Sequence, residues 1–416
     1  MAPNAACRPS RFGVLVVVLL SLAAGASASA GDVASSGEWS GSASLSCWSG
    51  SRRLDDAGTA PGASVWLKAS GSLSDARFFA EGWLRSEDMS SRPAGRGRFR
   101  EAYLSMALGN ADVRIGRQVL VWGRADQLNP TDSLTPRDYT LLVPEPGDDR
   151  LGVDAVQLKP RWGATSLSVV WLPRFSPSVT PLPEGVRPGL PRSARQLALK
   201  LDNSGGGGTD WSVSWFSGFD LMPTLAPSSP GMLESRHPRI QVVGGDFAVP
   251  VGRLGLRGEL AHTRTEDPGG TDPLKKNSFF YGVLGVERSF FGDLNVNVQA
   301  YAYRVQKYRD PRDLVDPQLR QLAVRQASLA HQLERSERGL AVRVSDKWWN
   351  ETLEGEVAVV VSFGGQGHIF KPRLAYALND HLRLTLGADI YRGRADSPYG
   401  LLQRNSLAYG ELRAYF

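Results

Sequence analysis

Cysteine is nearly absent from this chain: there are two in 416 residues, Cys7 and Cys47. Two thiols build neither a disulfide framework nor a zinc site. Histidine is scarce as well. The five, His237, His262, His331, His368 and His381, stand in no spacing that pairs one with a neighbouring serine nucleophile or with a second metal ligand. No catalytic site, metal or cofactor is therefore expected, and a hydrolase is the least favoured reading. Large charge of one sign is missing too, since 48 Lys and Arg face 42 Asp and Glu for a net +6. That excess names no partner and gives no ground for expecting nucleic acid. Finally, no stretch beyond residue 30 approaches the roughly 18 apolar residues that mark a membrane-crossing helix. Past that point the chain is either soluble or crosses a membrane as strands.

The first 30 residues read differently. Arg8 and Arg11 precede an apolar run, Phe12 to Leu20, and small residues follow from Ala23 to Ala30. This is the pattern of a secretory signal peptide, with an apolar core too short to span a bilayer. Ala28 and Ala30, or Ala26 and Ala28, fit a cleavage point, so the mature chain is expected to run from about Gly31 to Phe416 as one domain. Cleavage removes Cys7, Arg8 and Arg11 and lowers the net charge from +6 to +4. No cysteine stands at the cleavage point, so a lipoprotein anchor is not expected.

Two-residue alternation dominates what remains. Leu294, Val296, Val298, Ala300 and Ala302 share one face of a strand, and Asn295, Asn297, Gln299, Tyr301 and Tyr303 the other. The same split sets Leu382, Leu384, Leu386, Ala388 and Ile390 against Arg383, Thr385, Gly387, Asp389 and Tyr391. Strands are predicted near 38–48, 63–71, 76–86, 98–107, 111–119, 152–159, 165–172, 194–202, 210–218, 239–248, 254–264, 278–288, 294–306, 338–346, 352–363, 368–377, 382–391 and 406–416. That is about 18 strands, with 16 to 18 as the range, most of the length a tilted strand needs to cross a membrane.

Short links, such as Ser72 to Asp75 and Leu108 to Asn110, alternate with long ones, such as Leu120 to Leu151 and Gln306 to Gly339. Outer-membrane barrels divide their turns between two rims in this way. One link, Gly364 to Gly367, is short where a long one is expected.

Periodicity alone cannot tell lipid from a buried core, but the opposite face can. It carries Arg257, Arg343, Lys371, Arg373, Arg383 and Arg413 with Glu81, Glu259, Glu354, Glu356, Asp389 and Glu411, and a secreted sandwich would seldom charge one face of so many strands. The expected fold is all-β, a transmembrane antiparallel barrel with a wet lumen. Trp39, Trp48, Trp66, Trp171, Trp211, Trp215, Trp348, Trp349 and Tyr391 are expected in the interfacial girdles. The last strand ends in Phe416, with Ala408, Leu412 and Ala414 on its face. This resembles the C-terminal signature that barrel-assembly machinery recognises in bacterial outer-membrane proteins.

The link after the fifth strand, within 115–150, is dense in Arg, Asp, Pro and Gly. Folded into the pore, it would narrow it and set Arg117, Arg124 and Arg137 against Asp126, Asp132 and Asp138. Trp122 and Asn129 belong to the same expected constriction; the alternative is that these charges pair with one another and brace a surface loop. The run from Ile115 to Tyr139, with Gly116-Arg117-Gln118, Trp122-Gly123-Arg124 and Asn129-Pro130-Thr131-Asp132, resembles proteobacterial porin-like barrels. More distantly it is similar to barrels of the alginate-export type. The resemblance implies a Gram-negative outer membrane with its lipids, and passage of small polar or anionic solutes. Its alternative implication is export of a lipid or polysaccharide.

The link 306–339 differs in kind. Asp316 can cap a helix with Pro317 at its first position, and Leu319, Leu322, Gln326, Leu329 and Leu333 follow at helical spacing. A helix is expected there, gating the mouth or, more in keeping with its sequence, covering an outer loop.

Overall fold

A computed structural model describes residues 37–50, 59–86, 96–145, 147–181, 185–191, 193–205, 208–229, 232–364 and 366–416. The expected signal segment lies outside them. In chain order the strands are β1 (Glu38–Gly50), β2 (Thr59–Leu73), β3 (Ala76–Arg85), β4 (Arg96–Leu108), β5 (Ala111–Gln118), β6 (Val153–Trp162), β7 (Thr165–Leu172), β8 (Arg187–Pro188), β9 (Gln196–Asn203), β10 (Asp210–Phe219), β11 (Thr224–Ser229), β12 (Met232–Arg236), β13 (Arg239–Val251), β14 (Leu254–Arg264), β15 (Phe279–Ser289), β16 (Asn295–Val305), β17 (Ser336–Trp348), β18 (Leu353–Ser362), β19 (Gly367–Asn379), β20 (Leu382–Gly393) and β21 (Leu407–Tyr415).

All but β8, β11 and β12 join one 18-stranded sheet in which each strand pairs antiparallel with its neighbour. The sheet closes because β1 pairs with β2 on one side and with β21 on the other. Closure leaves no free edge, so the backbone polar groups of the wall are satisfied within the sheet. At the seam the terminal residue continues the ladder: Phe416 N donates to Gly41 O at 3.0 Å, and Gly41 N donates to Phe416 O at 2.8 Å. Gly41 is required there, because a Cβ would lie 2.6 Å from the Phe416 ring.

Register carries the two faces around the ring, with ladder shifts between β3 and β4 at Glu81/Gly82 and between β19 and β20 at Ala377/Asn379. Arg343 pairs across to Ala358, Glu356 to Arg373 and Arg383 to Arg413, which puts the charged set on one face. That face is the inner one, because the long β5–β6 link contacts it from within. The outer face is apolar and open, with Leu260, Leu284 and Leu386 exposed. An Arg or Lys there would cost roughly 2 to 4 kcal/mol at a bilayer midplane, which keeps the charged face of the strands inward.

Trp39, Trp171, Trp211, Trp348 and Trp349 are exposed, as girdle residues would be. Trp48, Trp66 and Tyr391 are not. Trp48 pairs across to Tyr409, Trp66 to Trp83 and Tyr391 to Ile369, all on the lumen face. Their position near strand ends suggested a girdle, but their phase in the strand faces them inward.

The short links form one rim and the long links the other. The link after β18 is short on the long-link rim, as its sequence suggested. The link after β10 holds a hairpin, β11 with β12, to which β8 adds a parallel pairing. The helix Pro317–Leu329 begins where expected, with the Asp316 side chain accepting from Leu319 N at 2.8 Å. It docks on that hairpin: Gln326 Nε2 donates to Leu225 O at 2.9 Å, and Leu225 N donates to Gln326 Oε1 at 2.8 Å. The helix thus covers neighbouring long links.

Candidate pore constriction

The link between β5 and β6 turns into the barrel and spans it as two lobes. Its first lobe starts on an apolar arc of wall, where Leu120, Trp122 and Leu134 pack on Val153, Ala155, Val170, Leu172, Ala198, Phe216, Ile240, Val242 and Ala261. Burying Trp122 there stabilises the inward fold by roughly 1.5 to 3 kcal/mol, the usual gain for a large apolar side chain.

Beyond Trp122, Gly123 adopts φ +99°, and a Cβ on it would stand 2.4 Å from Glu259 Oε1. This close approach lets the Glu259 carboxylate accept from Ala125 N at 2.6 Å and from Thr131 Oγ1 at 3.1 Å. With its amide nitrogen turned toward that carboxylate, Asn129 donates to Glu259 Oε1 at 2.6 Å and also to Ala125 O at 3.2 Å. Gln299 Oε1 accepts from Gln127 N and Leu128 N at 3.2 and 3.3 Å. Asp126 takes a bidentate grip from Arg343 Nη1, both oxygens at 3.0 Å.

The second lobe crosses to the other half of the ring. Leu142 packs on Trp48 and Ala60, and Leu141 on Trp66 and Trp83. Arg373 Nη2 donates to Glu145 Oε1 at 2.6 Å, Arg413 lies 3.6 Å from Asp148, and Arg100 donates to Gly147 O at 3.0 Å. The lobes are joined by ion pairs: Arg150 to Asp132 at 2.7 Å, and Arg137 to Asp149 at 3.0 Å with Asp132 at 4.0 Å. Asp138 is buried and accepts from Thr140 N at 3.0 Å.

Burial pushes the Asp132 carboxyl above the ordinary aspartate range, against the pull of Arg150 and Arg137. Burial likewise raises Asp148, against Arg413, Arg85 and Arg100. For Arg124, burial draws the guanidinium down, but Asp246 and Asp202 outweigh it and the net shift is upward.

The expected site residues thus fall into three groups. Trp122, Arg124, Asp126, Asn129, Asp132, Arg137 and Asp138 lie in the inward link, and the arginines among them are ion-paired: Arg124 with Asp246 and with Asp202 at 2.8 Å, Arg137 with Asp149. Arg257, Glu259, Arg343, Glu354, Glu356, Lys371, Arg373, Arg383 and Asp389 lie on the lumen face, mostly in pairs. Arg257 is 2.9 Å from Glu287, Lys371 2.9 Å from Asp389, Arg343 3.5 Å from Glu356 and Arg373 3.6 Å from Glu354, which Arg383 also contacts.

Arg117 is a correction. It sits on β5 two residues from the outward Ile115, pairs across to Asp154, and its Nε donates to Asp154 Oδ1 at 3.0 Å on the outer face. The lumen-facing residue at that end is its neighbour Gln118, which is buried.

One feature was missed by sequence reasoning. Below the inward link lies a cavity of about 700 Å³, lined by Arg77, Arg114, Lys159, Arg161 and Lys200 with Asp75, Asp112 and Asp202. Arg161 pairs with Asp112, and Lys200 is 3.6 Å from Asp202. Arg77, Arg114 and Lys159 have no carboxylate within ion-pair distance among the described residues. Register sets them side by side: Arg77 faces Ser105, Ser105 faces Arg114, and Lys159 faces Asp112 one pleat away. The missed signal was the lumen phase of β3, β5 and β6, which carries these cations at positions far apart in sequence.

No protein-family model matches the chain, and no curated relative matches it. Solved structures do. OccAB4 of Acinetobacter baumannii superposes with a TM-score of 0.56 at 10% identity, covering 92% of this chain and 97% of that one. OccK5 (OpdH) of Pseudomonas aeruginosa gives 0.53 at 11% identity over 92% and 97%. OprD of Pseudomonas aeruginosa gives 0.54 at 9% identity over 91% and 94%. At such identities the likeness is one of fold: the chain is a closed 18-stranded barrel of porin type, structurally like the Occ and OprD barrels.

Proposed function

We propose that the protein is a channel of a Gram-negative outer membrane through which small polar solutes, anions above all, diffuse past the inward link. The observation that carries this reading is the row of Arg77, Arg114 and Lys159 in the cavity beneath that link. Cations without carboxylate partners on a lumen wall attract carboxylate or phosphate more strongly than paired ones. Arg124 and Arg137 are already neutralised, so they brace the constriction while the row below sets its sign. Export of a lipid or polysaccharide fits less well, because the two lobes of the link occupy the lumen that such a cargo would need.

The test is the reversal potential of single channels in a salt gradient. Wild-type protein is expected to prefer anions, and the triple variant Arg77→Ala, Arg114→Ala, Lys159→Ala to lose that preference while conducting. An unchanged reversal potential in the triple variant contradicts the assignment.

A further inference from the structure

The outer face of the barrel carries its own unpaired cations on one flank. Arg239 on β13, Arg264 on β14, Arg304 on β16, Arg338 on β17 and Arg392 on β20, with the imidazole of His368 on β19 beside the last, are all exposed and sit at the strand ends on the long-link rim. Each alternates with a lumen-facing neighbour, as Arg338 does with the buried Glu337 and Arg304 with the buried Tyr303, so all six point away from the lumen. Register holds them in one band. Gln241 faces Arg264, Phe280 faces Arg304, Ala302 faces Arg338, and His368 stands directly opposite Arg392. Neighbouring strands are about 4.8 Å apart, which gives the band the spacing of a multivalent anion site.

None of the six has a carboxylate side chain within ion-pair distance among the described residues. The other flank differs. At the same level it presents Leu84, Phe99, Trp171 and Leu197 with the exposed Arg195, and its Arg117 and Arg174 both lie on Asp154. Directly below the band the outer face is apolar, with Leu260, Leu284 and Val361 exposed. Phe280 and Phe363, also exposed, stand between the cations at the level where aromatic rings favour a membrane interface. A row of guanidinium groups above an apolar belt matches an amphiphile with phosphate above acyl chains.

We infer that this flank docks a phosphorylated glycolipid of the outer leaflet, lipopolysaccharide, with the arginine band on its phosphates and the apolar belt on its acyl chains. The inference rests on the outer-membrane reading above, and on nothing about transport. It is tested with the full-length barrel in neutral detergent, titrated with purified lipopolysaccharide. Binding is read by the shift in thermal unfolding and by native mass spectrometry, and conductance is measured on the same preparations.

Wild-type protein is expected to bind saturably. The variant Arg304→Gln, Arg338→Gln, Arg392→Gln should bind about 100-fold more weakly, taking roughly a fivefold contribution from each cation near a lipid surface, with unchanged conductance. The corresponding triple Lys variant, which keeps the charges, should bind and thereby shows that a loss in the Gln variant is not misfolding. Equal binding by the wild-type and Gln proteins overturns the inference, as does equal protection by inorganic phosphate alone. A barrel that conducts but ignores lipopolysaccharide refutes this site and leaves the channel; one that binds it but does not conduct refutes the channel and leaves this site.

Discussion

At the scale of single residues, the constriction depends on how closely backbone approaches carboxylate. Gly123 combines φ +99° with a Cβ position 2.4 Å from Glu259 Oε1, so any side chain meets both backbone strain and a buried charge. Gly123→Ala is expected to displace the first lobe and to lower stability by about 1 to 3 kcal/mol. Thermal unfolding would register the loss, and single-channel recordings would show larger, noisier openings. A variant with wild-type stability and conductance would mean that the link does not rest on Glu259. Arg117 shows where residue-scale reading fails. Its place in a charged run suggested the pore, whereas counting by twos from Ile115 puts it on the outer face. The alternation that located β5 already held that information, but the motif around Arg117 drew attention along the chain instead of across it.

At the scale of elements, strands were legible because their phase is fixed by physics: with lipid on one side and water on the other, slipping a whole strand by one residue would turn its charged face outward. The helix Pro317–Leu329 was legible for a different reason, since Asp316 and Pro317 are local start signals. The hairpin of β11 and β12 was not legible. It lies on no membrane, carries no strict alternation, and is held by the helix of another link through Gln326. Such contacts between links have no sequence signature. Gln326→Ala removes both hydrogen bonds to Leu225 and leaves two backbone groups to find water, which costs about 1 to 3 kcal/mol locally. Limited proteolysis should then cut the hairpin faster while the barrel stays intact; an unchanged cleavage rate would contradict the docking.

At the scale of the whole molecule, the inward link makes lumen charge depend on pH. Asp132 and Asp148 have folded-state pKa values raised by burial, so each keeps its proton at a pH where the unfolded chain would have released it. Stability therefore falls as pH rises through the window between the ordinary aspartate range and the raised values. Selectivity moves with the same protons. Acidification into that window should protonate both and leave Arg150 and Arg413 less compensated. Anion preference should rise. In the double variant Asp132→Asn, Asp148→Asn it should already be high at neutral pH and nearly independent of pH, as reversal potentials would reveal. The candidate site was legible only as composition. The sequence placed acids and arginines in one link, but which arginine meets which acid follows from strands more than a hundred residues away, as Arg343 with Asp126 shows.

The central claim is that this barrel is an open channel whose sign is set by the cations under the inward link. The most direct measurement is single-channel recording of the purified, refolded protein in planar bilayers, with reversal potential taken in a salt gradient. Stable unitary conductance with anion preference is the predicted result. A folded barrel that passes no current, or one that prefers cations at neutral pH, would contradict it.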